Sequence, residues 1–234
     1  MIRFVYFDVA GTMIAPHPSV GDVYAAAGQP HGLHVAPADL DAAFRRAWHE
    51  WTKPDRGGPM SAVADADATW RWWRGLVFAV LDDVGFDRPR ESVFEACYNA
   101  FATADAWRVY PDVRPTLDEF SARGMRLGVL SNWDHRLPPL LERLDLAKYF
   151  EIQIVSALEG VEKPDPRIFT RALKRAGVAV DETLYVGDHV HLDLDPARAL
   201  GIHAYLIDRH QRSTSPWAID TLTRLVPLTT SSTS

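Results

Sequence analysis

Four short clusters carry the side chains of this sequence that can do chemistry. They are Asp8-Val9-Ala10-Gly11-Thr12, Leu130-Ser131-Asn132, Lys163-Pro164, and Gly187-Asp188 with Asp193 five residues later. Carboxylates suit a hard cation that wants oxygen ligands. Hydroxyls and an ammonium suit anionic oxygens. Taken singly, each cluster has a plainer explanation. An Asp just after a strand is commonly a turn or cap residue, and a lysine before proline reads as solvated surface. Four independent turns would have to mimic one site for all the plain explanations to hold together. Each cluster falls at the carboxyl end of an expected strand, where loops converge in open α/β sheets.

The elements that must position them follow from hydrophobic patterning. Residues 2–7 are a short apolar run ending in Asp8, as expected of a buried strand. Helices are predicted at 20–28, 38–51, 65–83 and 90–104. Breaks at Gln29-Pro30-His31-Gly32 and Pro54-Asp55-Arg56-Gly57-Gly58-Pro59 separate the first three, and no strand is expected between about 15 and 107. From 108 onward strands and helices alternate. Val113, Leu117 and Phe120 share a helical face that Gly124 ends. Strands are expected at 126–130, 151–155 and 183–186, with a last one at 203–207. Helices are expected around Leu137–Leu144, at 166–176 and at 195–200. This alternation implies a parallel sheet covered on both faces. The expected division is therefore a core of residues 1–14 and 108–234, with 15–107 inserted as a helical block over the carboxyl edge of the sheet. The Ser/Thr-rich tail from Leu228 is expected to fray.

Composition narrows the function classes. In 234 residues, 47% are hydrophobic and 24% charged, enough for a proper core. A formal charge of −6 without a basic run argues against a nucleic-acid partner. A single cysteine, Cys97, excludes an intrachain disulfide and fits a reducing compartment. Its apolar setting makes it a packing residue rather than a nucleophile. The N-terminus lacks the pattern of an export signal, and no apolar run reaches membrane-spanning length, so a cytoplasmic protein is expected. Oligomeric state is not legible.

The four clusters, in order and spacing, resemble the motifs of the haloacid dehalogenase superfamily. The helical insert between the first and second motifs is similar to the C1 cap of its subfamily IA. Several stretches resemble one subgroup, the haloacid dehalogenase-like hydrolase domain-containing protein 3 group. These are His17-Pro18, Tyr24-Ala25, His31-Gly32-Leu33, Trp72-Trp73, Ser131-Asn132 with Asp134, Arg136-Leu137, and Lys163-Pro164-Asp165-Pro166-Arg167-Ile168-Phe169. The resemblance implies a Rossmann-like core, a helical cap, Mg2+ as cofactor, and a small-molecule substrate, expected to be a phosphate ester. It implies Asp8 as a nucleophile that forms an aspartyl-phosphate. Asp8, the Ala10 carbonyl, Asp188 and Asp193 are implied as the metal site. Thr12, Ser131, the Asn132 amide and Lys163 are implied to bind the substrate, with Ser131 and Lys163 stabilising the charge of the transition state.

One position departs from that pattern. Phosphatases of the superfamily carry a second Asp two residues after the nucleophile, where this chain has Ala10. The missing carboxyl would protonate the leaving oxygen and then activate water, assistance worth about two to four orders of magnitude. The residues favour a weak or narrow phosphatase-type hydrolase, followed by a non-catalytic phosphoryl- or protein-binding module. A 2-haloacid dehalogenase stands third, since halide needs no proton. A phosphonoacetaldehyde hydrolase-like enzyme with Lys53 as Schiff base stands last. His189 and His191 lack a further His or Cys partner and read as loop histidines facing substrate or solvent. The tryptophans Trp48, Trp51, Trp70, Trp72 and Trp73 read mainly as core, with one or two at the substrate entrance.

Overall fold

The computed structural model of the chain describes residues 1–53 and 66–229. The break expected at 54–59, the helix start at 65 and the tail residues 230–234 lie outside the described residues. A parallel sheet organises the molecule. Its centre is β1 (Phe4–Phe7), four residues buried on both faces, flanked by β4 (Arg126–Ser131) and β6 (Thr183–Gly187). Beyond β4 lies β5 (Ile152–Val155). Beyond β6 lie β7 (His203–Ile207) and β8 (Ala218–Ile219), giving the order β5-β4-β1-β6-β7-β8.

Strand alternation sends side chains to two cores. Val5 and Phe7 pack with Leu127, Val129, Leu184 and Val186 on one face, while Phe4 and Tyr6 pack with Leu130, Ile154 and Tyr185 on the other. The first face is covered by α5 (Val113–Ala122) and α6 (Leu137–Arg143). The second is covered by α8 (Pro166–Ala176) and α9 (Asp195–Ala199). Both faces are thus dry, which is why the strands read as continuous apolar runs.

Between β1 and β4 the chain builds α1 (Val20–Gly28), α2 (Pro37–Trp51), α3 (Ala66–Asp83) and α4 (Arg90–Ala100). These helices bury a core of their own, with Tyr24, Leu40, Trp72, Leu76, Val80 and Phe94 at its heart. The chain enters and leaves this block through a short antiparallel pair, β2 (Ile14–Pro16) and β3 (Trp107–Val109), in the register Ile14↔Val109 and Pro16↔Trp107.

Several expectations are corrected. The stretch near 14–16 and 107–109 does hold strands. They are three residues each, one containing proline, and their pairing spans the whole insert, so no local pattern announces them. The strand at 203–207 is not the last, because the two-residue β8 extends the sheet. The helix expected to reach 104 stops at Ala100. Lys163 does not sit at a strand end: α7 (Ser156–Glu159) and Gly160, in the left-handed region at φ +64°, intervene after β5. Among the described residues, no helix is long and apolar enough to cross a membrane.

Candidate active site

Asp8 leaves the carboxyl end of β1 with 5% exposure, between Ser131 from β4 and the loop after β6. The Ser131 hydroxyl donates to Asp8 Oδ1 at 2.8 Å, and the Lys163 ammonium donates to the same oxygen at 2.7 Å. Oδ2 is less encumbered, with the Thr12 hydroxyl at 3.5 Å.

Lys163 is 3% exposed and bonds three groups. Besides Asp8 it donates to Asp193 Oδ1 at 2.5 Å and to the Tyr185 hydroxyl at 3.0 Å. Burial opposes its charge, but the carboxylates of Asp193 and Asp8 outweigh that and hold its pKa above the ordinary lysine value. The Tyr185 hydroxyl donates to Asp193 Oδ1 at 2.5 Å. Burial and the facing carboxylates keep that phenol protonated, far above its ordinary pKa. Asp193 Oδ2 accepts the His189 backbone N–H at 3.0 Å. Both oxygens of Asp193 therefore have protein partners.

The loops are fixed by means that side-chain motifs do not announce. The Asn132 side-chain amide donates to the Lys163 carbonyl at 2.9 Å and accepts the Lys163 N–H at 2.8 Å, pinning the backbone that carries the ammonium. Arg209, beyond β7, donates to the carbonyls of Gly11 and Thr12 and to Asp112 Oδ1 at 3.0 Å, which locks the loop after Asp8. Gly11 adopts φ +74°, and a Cβ there would lie 2.1 Å from the Asp188 carboxylate, so glycine makes room for that side chain. At Gly187 a Cβ would meet the Asp193 carboxyl at 2.3 Å.

Asp8, Asp188 and Asp193 each offer an oxygen within 4.8 Å of the others. Part of Asp188 is open to solvent, yet its carboxyl is turned onto Gly11 and into the site. Loss of water there, with Asp8 and Asp193 close by, raises its pKa to about 7. Burial likewise raises Asp8, with Lys163 pulling in the opposite direction. Three carboxylates facing one ammonium form an oxygen-rich, net-negative cluster, and Gly11 leaves the space that Asp188 needs to complete it. Such a set fits a hard divalent cation.

The sequence-predicted residues Asp8, Thr12, Ser131, Lys163, Asp188 and Asp193 thus gather around one point, with Ala10 and Asn132 on the wall of the adjoining cavity. Tyr185 and Arg209 escaped sequence reasoning, the one reading as strand core and the other as a loop residue. His189 is not free. Its Nδ1 accepts the N–H groups of His191 and Leu192, both at 3.2 Å, and caps the following turn. His191 pairs with Asp195 at 3.1 Å. Lys53 pairs with Glu50 at 2.7 Å on the surface and does not line the cavity, which leaves the Schiff-base alternative without a geometric footing.

Above Ala10 opens a cavity of about 280 Å³ between the sheet's loops and the helical block. Trp48 and Trp73 line it, while Trp72 is buried behind them. Cys97 touches the cavity, but burial pushes its thiol up to about 12, which makes it a packing group as expected. One buried cluster ties the two parts together. Asp134, with no exposed surface, accepts the Trp73 indole N–H at 2.7 Å and pairs with Arg136 at 2.7 Å, and Arg136 donates to the Tyr98 carbonyl at 3.0 Å.

A parallel α/β sheet with a strand-end carboxylate, an attached lysine and an acidic cluster defines a hydrolase of the haloacid dehalogenase type. The sequence pattern of the haloacid dehalogenase-like hydrolases matches residues 2–201, and the chain belongs to that family. It is 34% identical over 212 residues to haloacid dehalogenase-like hydrolase domain-containing protein 3 of Danio rerio, covering 89% of this chain and 86% of that protein. It is 37% identical over 236 residues to a phosphoserine phosphatase of Thermus thermophilus, covering 93% of each. Among solved structures, the magnesium-bound HAD-hydrolase YfnB of Bacillus subtilis superposes with a TM-score of 0.78 over 97% of this chain and 98% of that one. At 14% identity it speaks for the fold alone.

Proposed function

We propose that this chain is a magnesium-dependent hydrolase of small phosphate esters that works through a phosphoryl group carried on Asp8. The observation that carries this reading is the shared hydrogen bonding of Asp8 Oδ1 by Ser131 and Lys163, beside an acidic trio within 4.8 Å. With Oδ1 held, Oδ2 is the oxygen left to attack phosphorus. The Ser131 hydroxyl and the Lys163 ammonium, beside Asp8, would donate to the oxygens of the transferred group and share their hydrogen bonds with them as charge develops. The Asn132 side chain positions Lys163, and its backbone amide is a further donor to the phosphoryl group.

Asp8, the carbonyl of Ala10 and Asp188 would hold the magnesium ion, which neutralises charge between the nucleophile and the phosphate. Asp193 acts through Lys163, Tyr185 and His189, since its two oxygens are already bonded to them. Residues 15–107 serve as the cap and choose the leaving group, while 1–14 and 108–234 carry the chemistry. Ala10 makes the activity narrow. No carboxyl at that position protonates a leaving alkoxide or activates the water that clears Asp8. The test is a panel of phosphate esters assayed with magnesium and with chelator. Turnover that requires magnesium and disappears in Asp8→Asn is expected. Halide release from 2-chloropropionate in the presence of chelator would replace this reading with a dehalogenase.

A further inference from the structure

The methyl group of Ala10 is exposed on the floor of the cavity, beside Asn132, and the walls above it are aromatic. Phe44 stacks on Trp48 at 5.8 Å, and Trp48 meets Trp73 at 6.1 Å. Arg136 brings a charge to the wall, but Asp134 already neutralises it and the Tyr98 carbonyl takes a further N–H. An anionic substituent therefore finds no unpaired cation there. Tyr24 is different. It lines the cavity at 2% exposure and carries a neutral hydroxyl there. A hydroxyl so placed can bond a group that enters the cavity.

From this arrangement, and resting on the phosphoryl transfer proposed above, we infer that the cavity receives an aromatic leaving group and that the preferred substrates are aryl phosphate monoesters. Size agrees. A cavity of about 150 Å³ takes one benzene ring, so 280 Å³ takes up to two fused rings. Chemistry agrees as well. When Asp8 Oδ2 bonds to phosphorus, the bond from phosphorus to the ester oxygen breaks and the aryloxide departs with the electron pair. Its negative charge spreads into the ring, so it leaves unprotonated and collects its proton from water afterwards. Water then cleaves the phosphoryl group from Asp8, releasing inorganic phosphate and returning the carboxylate. An alkoxide has no such delocalisation and needs the acid that Ala10 does not supply. The Tyr24 hydroxyl would meet a polar substituent on the ring.

The test compares naphthyl phosphate, glycerol phosphate and acetyl phosphate with magnesium present. Acetyl phosphate is the small reference, because its leaving group needs no proton and fills none of the cavity. Naphthyl phosphate is expected to exceed glycerol phosphate in kcat/KM by about a hundredfold or more. Val77→Phe narrows the cavity, and Trp48→Ala, at a residue 38% exposed on its rim, removes wall. Either should lower the ratio of naphthyl to acetyl phosphate kcat/KM, mainly through KM. Turnover of acetyl phosphate with no naphthyl preference, or a ratio unmoved in both variants, overturns the inference and leaves the phosphatase reading standing. No turnover of any of the three esters removes both.

Discussion

Replacing Lys163 by methionine keeps an unbranched stem and removes the ammonium that stands between two carboxylates. The ammonium lies 2.7 Å from Asp8 and 2.5 Å from Asp193, and the three side chains are 3%, 7% and 2% exposed. Solvent does not screen such contacts. At an effective dielectric of about 20, unit charges near 4 Å interact by about 4 kcal/mol. Removing one partner of a buried pair costs about 3–5 kcal/mol, because the remaining charge is left uncompensated. A domain stable by about 5–15 kcal/mol survives that loss with reduced margin. The loss depends on pH in a definite direction. Burial already raises the pKa of Asp8, and Lys163 is the strongest influence holding it down. Without Lys163 it rises further. A carboxyl raised in the folded state destabilises as pH climbs through the raised value, and the penalty is absent below the unfolded value of about 3.9. Urea unfolding of the two proteins should therefore nearly coincide at about pH 4 and separate by several kcal/mol above neutrality, without magnesium. Saturating magnesium should return part of the gap by binding the folded state. A gap below about 1 kcal/mol at neutral pH, as for a screened surface pair, or a gap equal at both pH values, would refute the reasoning.

Four further outcomes are expected. Asp188→Asn should weaken magnesium binding about tenfold or more by calorimetry, because it removes one charge from an oxygen-ligand set. Ala10→Asp should raise alkyl phosphate turnover by about a hundredfold and aryl phosphate turnover by less, read as paired kcat/KM values. In the wild type, mixing with an aryl phosphate should give a rapid burst of the phenol equal to the enzyme present, with a phosphoryl adduct on Asp8 visible by intact mass. Arg209→Met should lower stability by about 1.5–3 kcal/mol in urea melts, the worth of hydrogen bonds made by a charged group, because Gly11, Thr12 and Asp112, held in partly buried bonds, lose their shared donor.

How much of this was legible beforehand depended on how local the cause was. The apolar run before Asp8 and the alternation after residue 108 predict strands and helices because burial on both faces leaves an unbroken hydrophobic signature. The pair β2 and β3 left none, since Pro16 is a poor strand residue and the partner strand lies beyond the whole insert. The candidate site residues were marked by their types, with Asp8, Ser131 and Asp188 at strand ends as expected and Lys163 in the loop beyond α7 instead. What fixes them was not found. Tyr185 reads as an ordinary core tyrosine until Lys163 and Asp193 are seen around its hydroxyl. Asn132 suggested a backbone donor, whereas its side chain does the work of pinning Lys163. His189 reads as a loop histidine facing substrate or solvent, and its capping of the turn ahead of Asp193 depends on backbone geometry that spacing does not reveal.

Ala10 connects the two halves of the molecule in a way that neither explains alone. Viewed from the sheet, and on the phosphoryl transfer proposed above, it subtracts a proton donor and a base from a site that would otherwise supply nucleophile, cation ligands and anion donors. Viewed from the helices, it contributes a methyl group to a floor continuous with aromatic walls. On the inferred aryl ester, one residue would serve both surfaces, by omitting acid catalysis where the substrate supplies a stable anion and by lining the cavity that receives it. The first half-reaction loses little by this exchange and the second loses more, because water still has to be activated against Asp8. On the proposed reaction that asymmetry would make clearance of the phosphoryl group the slow step, and it would tie the identity of the leaving group to the missing base.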